Sequence, residues 1–208
     1  MLHPKTNKTI LMSKDTDFQN TIDFIAYIDQ LKSVIRRNGL HDGSRAENTA
    51  EHSWHAALSA QVLAPFANER VNVDKVSRML LIHDLVEIEA GDTFIYDEES
   101  AALQEVAEWK AAEEVFGRLP AEQGQALKAL WEEFEARETP EARFAKAIDR
   151  FMPLFSNAKN TGFSWMPYKI SRQQVVDRCR IIQEGSEKLW ELTEKLLDEG
   201  VKNGSLDP

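Results

Sequence analysis

The stretch that decides the fold is Met79–Asp92, MLLIHDLVEIEAGD. It opens on an apolar run, Met79-Leu80-Leu81-Ile82, and then presents His83 and Asp84, followed by Glu87, Glu89 and Gly91-Asp92. Such a run is the buried side of a helix, and burying an imidazole with a carboxylate is costly unless each has a partner. On a helix His83 and Glu87 share a face one turn apart, and Asp84 can point into the same pocket. Nitrogen and oxygen donors side by side in an apolar segment suit a divalent metal. A core histidine beside an ion-paired aspartate explains the dipeptide equally well.

Outward from this stretch, apolar residues recur at helical spacing. Phe18, Ile22, Ile25, Ile28, Leu31 and Ile35 predict a first helix over 17–37, ending at Asn38-Gly39. Asn48 or Thr49 caps a second helix running to about Phe66, with Trp54, Ala57, Leu58, Val62 and Leu63 on its core side. Asp74 caps a third, which carries the central stretch to Gly91. A loop spans 92–98. Helices then follow over 99–118, from Pro120, over 141–157 and over 171–199. No stretch reads as a strand. The expected fold is all-α: a flexible N-terminus over 1–15, one helical domain over 16–200 and a frayed tail over 201–208.

The net charge of −10 argues against a nucleic-acid polymer or an anionic membrane surface as partner. A small phosphate ester is compatible, because a metal ion reverses the local field. The one cysteine, Cys179, excludes a disulfide framework and a cysteine zinc site. With no membrane-length apolar run and no apolar leader near the N-terminus, the chain reads as cytoplasmic. Glu47 and Glu51 suit a helix N-terminus and need no further role. The acidic face at Glu105, Glu108, Glu113 and Glu114 is expected to be solvated. Several tryptophans on amphipathic helices allow a homodimer.

Two further residues change the weight of the central stretch. His52 lies early in the second helix, in ENTAEHSWHAAL. Asp149 lies on a strongly apolar helix between Ala145, Ile148, Phe151 and Met152, where an unpaired carboxylate would be costly. Pairing with Lys146 or Arg150 is the simpler account of it. Together, His52, His83, Asp84 and Asp149 supply a complete nitrogen and oxygen shell for one divalent ion, with positions left for water.

The order His52 … His83-Asp84 … Asp149 resembles the HD-domain metal-dependent phosphohydrolases. The words RAENTAEHSWHAAL, LLIHDLVEIEAGDTFIYD and FAKAIDRFMPLFSN are similar to the compact branch that contains bacterial 5′-deoxynucleotidases. The resemblance implies His52, His83, Asp84 and Asp149 as ligands of one divalent transition metal: Mn, Fe, Co, Ni or Zn. It implies Glu87 near the attacking water with Asp84 beside it, Arg36 at the end of the first helix on the phosphate, and Asp92 on the sugar. Where that branch has a Trp after the arginine, this chain has Arg37; where it has a Gln, this chain has His55. Both are expected at the substrate. The implied substrate is a small phosphorylated molecule, foremost a (deoxy)nucleoside 5′-monophosphate. The alternatives are a phosphodiester, a nucleoside triphosphate, or a metal-dependent nucleotide sensor without turnover.

Overall fold

The structure, a computed structural model, describes residues 6–92, 96 and 98–208. Residues 1–5 of the expected flexible N-terminus, and 93–95 and 97 of the expected loop, lie outside the described residues. The fold is all-α apart from one two-stranded ribbon. Helix α1 (Thr6–Ile28) passes into a short 3₁₀ turn, Asp29–Ser33. Strand β1 (Ile35–Gly39) then pairs antiparallel with β2 (Ala46–Asn48).

This ribbon corrects the expectation of a helix to Arg37. Alternation along β1 turns Arg36 and Asn38 inward, and Ile35 and Arg37 outward. Gly39 ends β1 by necessity: a Cβ there would stand 2.5 Å from the Phe163 ring.

Helix α2 (Thr49–Leu63) starts at a capping box in which Asn48 and Glu51 bond reciprocally. Its core side is small: Ser53, Ala56, Ala57 and Ala60. That lets α2 lie close against α3 (Val73–Ile82), and it turns Trp54, Leu58 and Val62 outward at 61%, 52% and 68% exposure, opposite to expectation. Asn72, rather than Asp74, caps α3, its side chain accepting from Lys75 N–H.

The third helix does not continue to Gly91. Beyond the His83 N–H bond to Met79 O, the chain tightens into three-residue turns, Leu85 to Ile82, Glu87 to Asp84 and Ile88 to Leu85. It then closes as α4 (Glu87–Ala90). The tightening serves two cores. Met79 and Leu80 belong to one, and Leu85 and Val86 belong to the other with Phe24, Tyr27, Phe116 and Trp131. His83 and Asp84 stand at the seam.

Helices α5 (Glu98–Phe116) and α6 (Ala121–Ala136) follow. Next, α7 (Pro140–Lys159) starts at Thr139, which accepts from Ala142 N–H, with Pro140 in the first turn. α7 is the central helix: α2, α3, α6 and β1 pack on it. A short α8 (Trp165–Tyr168) precedes the expected final helix, which is broken into α9 (Arg172–Cys179), α10 (Ile182–Gly185) and α11 (Glu187–Asn203). The last two also pack on α7. The C-terminal tail is docked and not frayed: Ser205 and Leu206 are buried, and Asp207 exchanges backbone bonds with Ile170 and Arg172. No described helix is long and apolar enough to cross a membrane.

Candidate metal centre

Three elements bring the donors together. His52 comes from the inner face of α2, His83 and Asp84 from the turn after α3, and Asp149 from the middle of α7. His52 Nε2 lies 3.1 Å from Asp149 Oδ1. His83 Nε2 lies 3.4 Å from the same oxygen and 3.1 Å from Asp84 Oδ1. His52, His83 and Asp149 offer ligand atoms all within 4.8 Å of one another. Asp84 stands at the side of this triad, its Oδ2 3.9 Å from His52 Nε2.

Local bonds aim the rings. His83 Nδ1 lies 2.9 Å from Leu80 O, so it holds the proton there and turns Nε2 inward. Trp131 Nε1–H donates to His83 O at 3.0 Å and fixes the turn from the other core. His83 Nε2 is buried without a hydrogen bond, an orphaned donor atom facing two carboxylates. With two imidazoles and two carboxylates converging on it, this arrangement fits a divalent ion.

The electrostatics agree with that fit. Burial, then Arg36, pulls His52 down to about 4. Burial opposes charge on His83 too, but Asp84 and Asp149 outweigh it and raise the ring to about 10. Asp149 is held well below the usual carboxylate range: burial opposes, and the His52 bond and the close His83 ring prevail. A proton on His83 supplies positive charge that the carboxylates demand, and a divalent cation held by His52, His83, Asp84 and Asp149 would meet that demand in its place.

Arg36 is the second centre of the site. The strand places it inward, its side chain 10% exposed, with Nη1 3.0 Å from Asp84 Oδ2 and 3.9 Å from Glu87 Oε1. Its Nε is buried with no hydrogen-bond partner, 3.9 Å from Glu47 Oε2. Glu87 accepts from Thr49 Oγ1–H at 2.8 Å. Three-residue turns rotate Glu87 off the face of His83, so it meets Arg36 rather than the donor triad. Burial first, then Asp84, raises the Glu87 pKa well above its ordinary value.

Asp92 lines the same cavity, and its carboxylate accepts from the Arg37 backbone N–H. Burial raises its pKa. The Arg37 guanidinium sits at the cavity rim on the Tyr168 hydroxyl, the consequence of strand alternation. His55 does not line the cavity. Its ring faces His41 at 5.6 Å and Trp54 at 6.0 Å.

Two further acids belong here: Glu47, expected only to suit a helix N-terminus, and Glu108, expected on a solvated face. Glu47 is buried, with Oε2 3.7 Å from His52 Nδ1, and burial lifts it to about 7 despite Arg36. The sequence signal was its alternation with Ala46 and Asn48 on a strand too short to read. Glu108 lines the cavity, half-buried and shifted upward by burial, while Glu113 and Glu114 are exposed. The side chain of Glu105 lies outside the described residues. The cavity has a volume of about 440 Å³ and includes Arg36, Asp84, Glu87, Asp92 and Asp149 in its wall.

Comparison with known proteins agrees with this geometry. The HD domain model matches residues 28–190. A crystal structure described as a predicted metal-dependent phosphohydrolase from Magnetospirillum magnetotacticum MS-1 is 46% identical, with a TM-score of 0.87, over 92% of this chain and 96% of that one. The 5′-deoxynucleotidase HDDC2 of Homo sapiens is 29% identical over 133 residues, and the match covers 64% of this chain and 64% of the human protein. The 5′-deoxynucleotidase hdd1 of Schizosaccharomyces pombe is 25% identical over 185 residues, 81% of this chain and 91% of that protein. With the donors in motif order on adjoining elements and the model spanning most of its length, the chain belongs to the HD domain family.

Proposed function

We propose that this protein hydrolyses a phosphomonoester, foremost a (deoxy)nucleoside 5′-monophosphate, in the cavity that joins Arg36 to the His52, His83, Asp84 and Asp149 cluster. The 3.0 Å bond between Arg36 and Asp84 carries this reading, because it sets a buried phosphate-binding group directly on the donor cluster. The names of the human and fission-yeast relatives support the substrate class. Two imidazole and two carboxylate donors favour a transition ion: Mn, Fe, Co, Ni or Zn.

Bound there, a divalent ion supplies a Lewis acid that acidifies water and polarises a phosphoryl oxygen. The chain's residues do the rest. Arg36 presents a planar fork to the phosphate, with a buried Nε–H still to be satisfied. Glu87, with its raised pKa and its Oε2 held by Thr49, is placed to take or return a proton. Asp92, fixed by the Arg37 backbone, accepts from a sugar hydroxyl.

Phosphate release from ribo- and deoxyribonucleoside 5′-monophosphates tests the proposal, using protein stripped and reloaded with Mn, Co, Ni, Zn or Mg in turn. Metal-dependent release supports it. No release from any of them, by protein shown to hold metal, refutes it.

We also propose that the protein acts in the cytoplasm as a homodimer. The outward stripe Trp54, Leu58 and Val62, spaced by four on α2, is the surface a second copy would cover by two-fold symmetry.

A further inference from the structure

Among the described residues six cations line this one cavity, Arg36, Arg37, Arg137, Lys146, Arg150 and Arg178, beside six acids, Asp84, Glu87, Asp92, Glu108, Glu135 and Asp149. Arg36 serves the donor cluster, Arg37 meets Tyr168, and Lys146 is held by both oxygens of Glu135 at 3.1 Å. The other three come from separate elements: Arg137 from the C-terminal cap of α6, Arg150 from α7 and Arg178 from α9.

These three also line the depression that adjoins the cavity, so they stand where the two meet. The acidic contacts of Arg137 and Arg150 are loose. Arg137 lies 3.4 Å from Glu184, and Arg150 Nε lies 3.8 Å from Asp149 Oδ2. Arg150 and Arg178 share a field: both act on the Tyr96 hydroxyl, itself in the cavity wall.

The arrangement has two poles. Asp149 turns Oδ1 to the histidines and Oδ2 to Arg150, while Asp84 turns Oδ1 to His83 and Oδ2 to Arg36. The donor cluster is thus flanked by Arg36 through one carboxylate and by Arg150 through the other. Arginine at both poles suits two separate phosphates, each recognised by a planar fork.

We propose that Arg137, Arg150 and Arg178 form a second anion subsite, and that the preferred substrate is a nucleoside with phosphates on two sugar positions, a 3′,5′-bisphosphate. One phosphate is hydrolysed at the Arg36 pole and the other is retained at the arginine triad. This rests on the phosphomonoesterase reading above.

The test compares kcat/KM of the metal-loaded protein for a nucleoside 3′,5′-bisphosphate, the matching 5′-monophosphate and the matching 5′-diphosphate. The expected result is a preference of about tenfold or more for the bisphosphate over both others, the effect of one added charged hydrogen-bonding group. Arg178→Gln and Arg150→Gln, checked for metal content, should each collapse that ratio toward unity. Equal kcat/KM for bisphosphate and monophosphate overturns the subsite, as does a ratio that neither variant changes. A preference for the diphosphate overturns the two-pole placement. If none of the compounds releases phosphate, the phosphomonoesterase reading fails, and calorimetric Kd values then judge the subsite alone. Tenfold tighter bisphosphate binding supports it, and equal binding of bisphosphate and monophosphate overturns it.

Discussion

At the scale of single residues, the site is a set of buried charges that satisfy one another. Arg36 answers Asp84, and His83 answers Asp84 and Asp149. Glu47 completes the set from behind: it faces His52 Nδ1, the ring nitrogen turned away from the donor cluster. Partners of this kind orient a metal-binding imidazole and raise its basicity. Glu47→Gln keeps the shape and removes the charge, so it should weaken metal binding about tenfold. Competition with a chelating dye measures this, and an unchanged affinity would show that Glu47 only fills space. The donor residues were legible in the sequence because burying a histidine or aspartate in an apolar run demands a reason. Glu47 was not, because a glutamate ahead of a helix has an ordinary explanation that hides the buried one.

At the scale of elements, what the sequence made legible were starts with side-chain chemistry. Asn48 with Glu51, and Thr139 with Pro140, begin helices where capping requires. What escaped were changes of direction set by tertiary contact. The ribbon at Ile35–Gly39 is short and carries two arginines, so its period of two is not visible against a helical background. The break after α10 had a signal in Gly185-Ser186. A Cβ at Gly185 would stand 2.4 Å from Arg143 O, and the Ser186 side chain caps α11 by accepting from Leu189 N–H.

The loop between the strands meets α2 at His41 and His55. Burial first, then Lys159, lowers the His41 pKa, and burial first, then His41, lowers that of His55. The unfolded chain therefore binds more protons below the ordinary histidine pKa of about 6.5. The contribution of these groups to stability is full above that pH and falls as pH drops through it. His55→Gln removes one of the two groups, so its Tm should fall less than the wild type's between about pH 7.5 and about pH 5.5. A fall at least as steep in the variant would contradict this.

At the scale of the whole molecule, two cores meet along the turn after α3, and the donor cluster occupies that seam. One core holds the α2, α3 and α7 bundle, and the other holds α1 against α5 and α6. The all-α class was legible, whereas the outward face of α2 was not, because its small residues, and not its large ones, face the core. If that stripe covers a second copy, light scattering should give twice the chain mass of 23.7 kDa, and Leu58→Glu should give the single mass. A wild type of single mass would remove the homodimer.

The central claim is that one divalent ion, held across the seam by groups from three elements, is what the chemistry depends on. Asp149 is the donor that touches both histidines, so the measurement is the metal content of wild type and Asp149→Ala by mass spectrometry, with phosphate release assayed on the same samples. The account predicts close to one ion per wild-type chain, and loss of both metal and turnover in a variant that remains folded by circular dichroism. A folded variant that keeps its metal and its full turnover would contradict it.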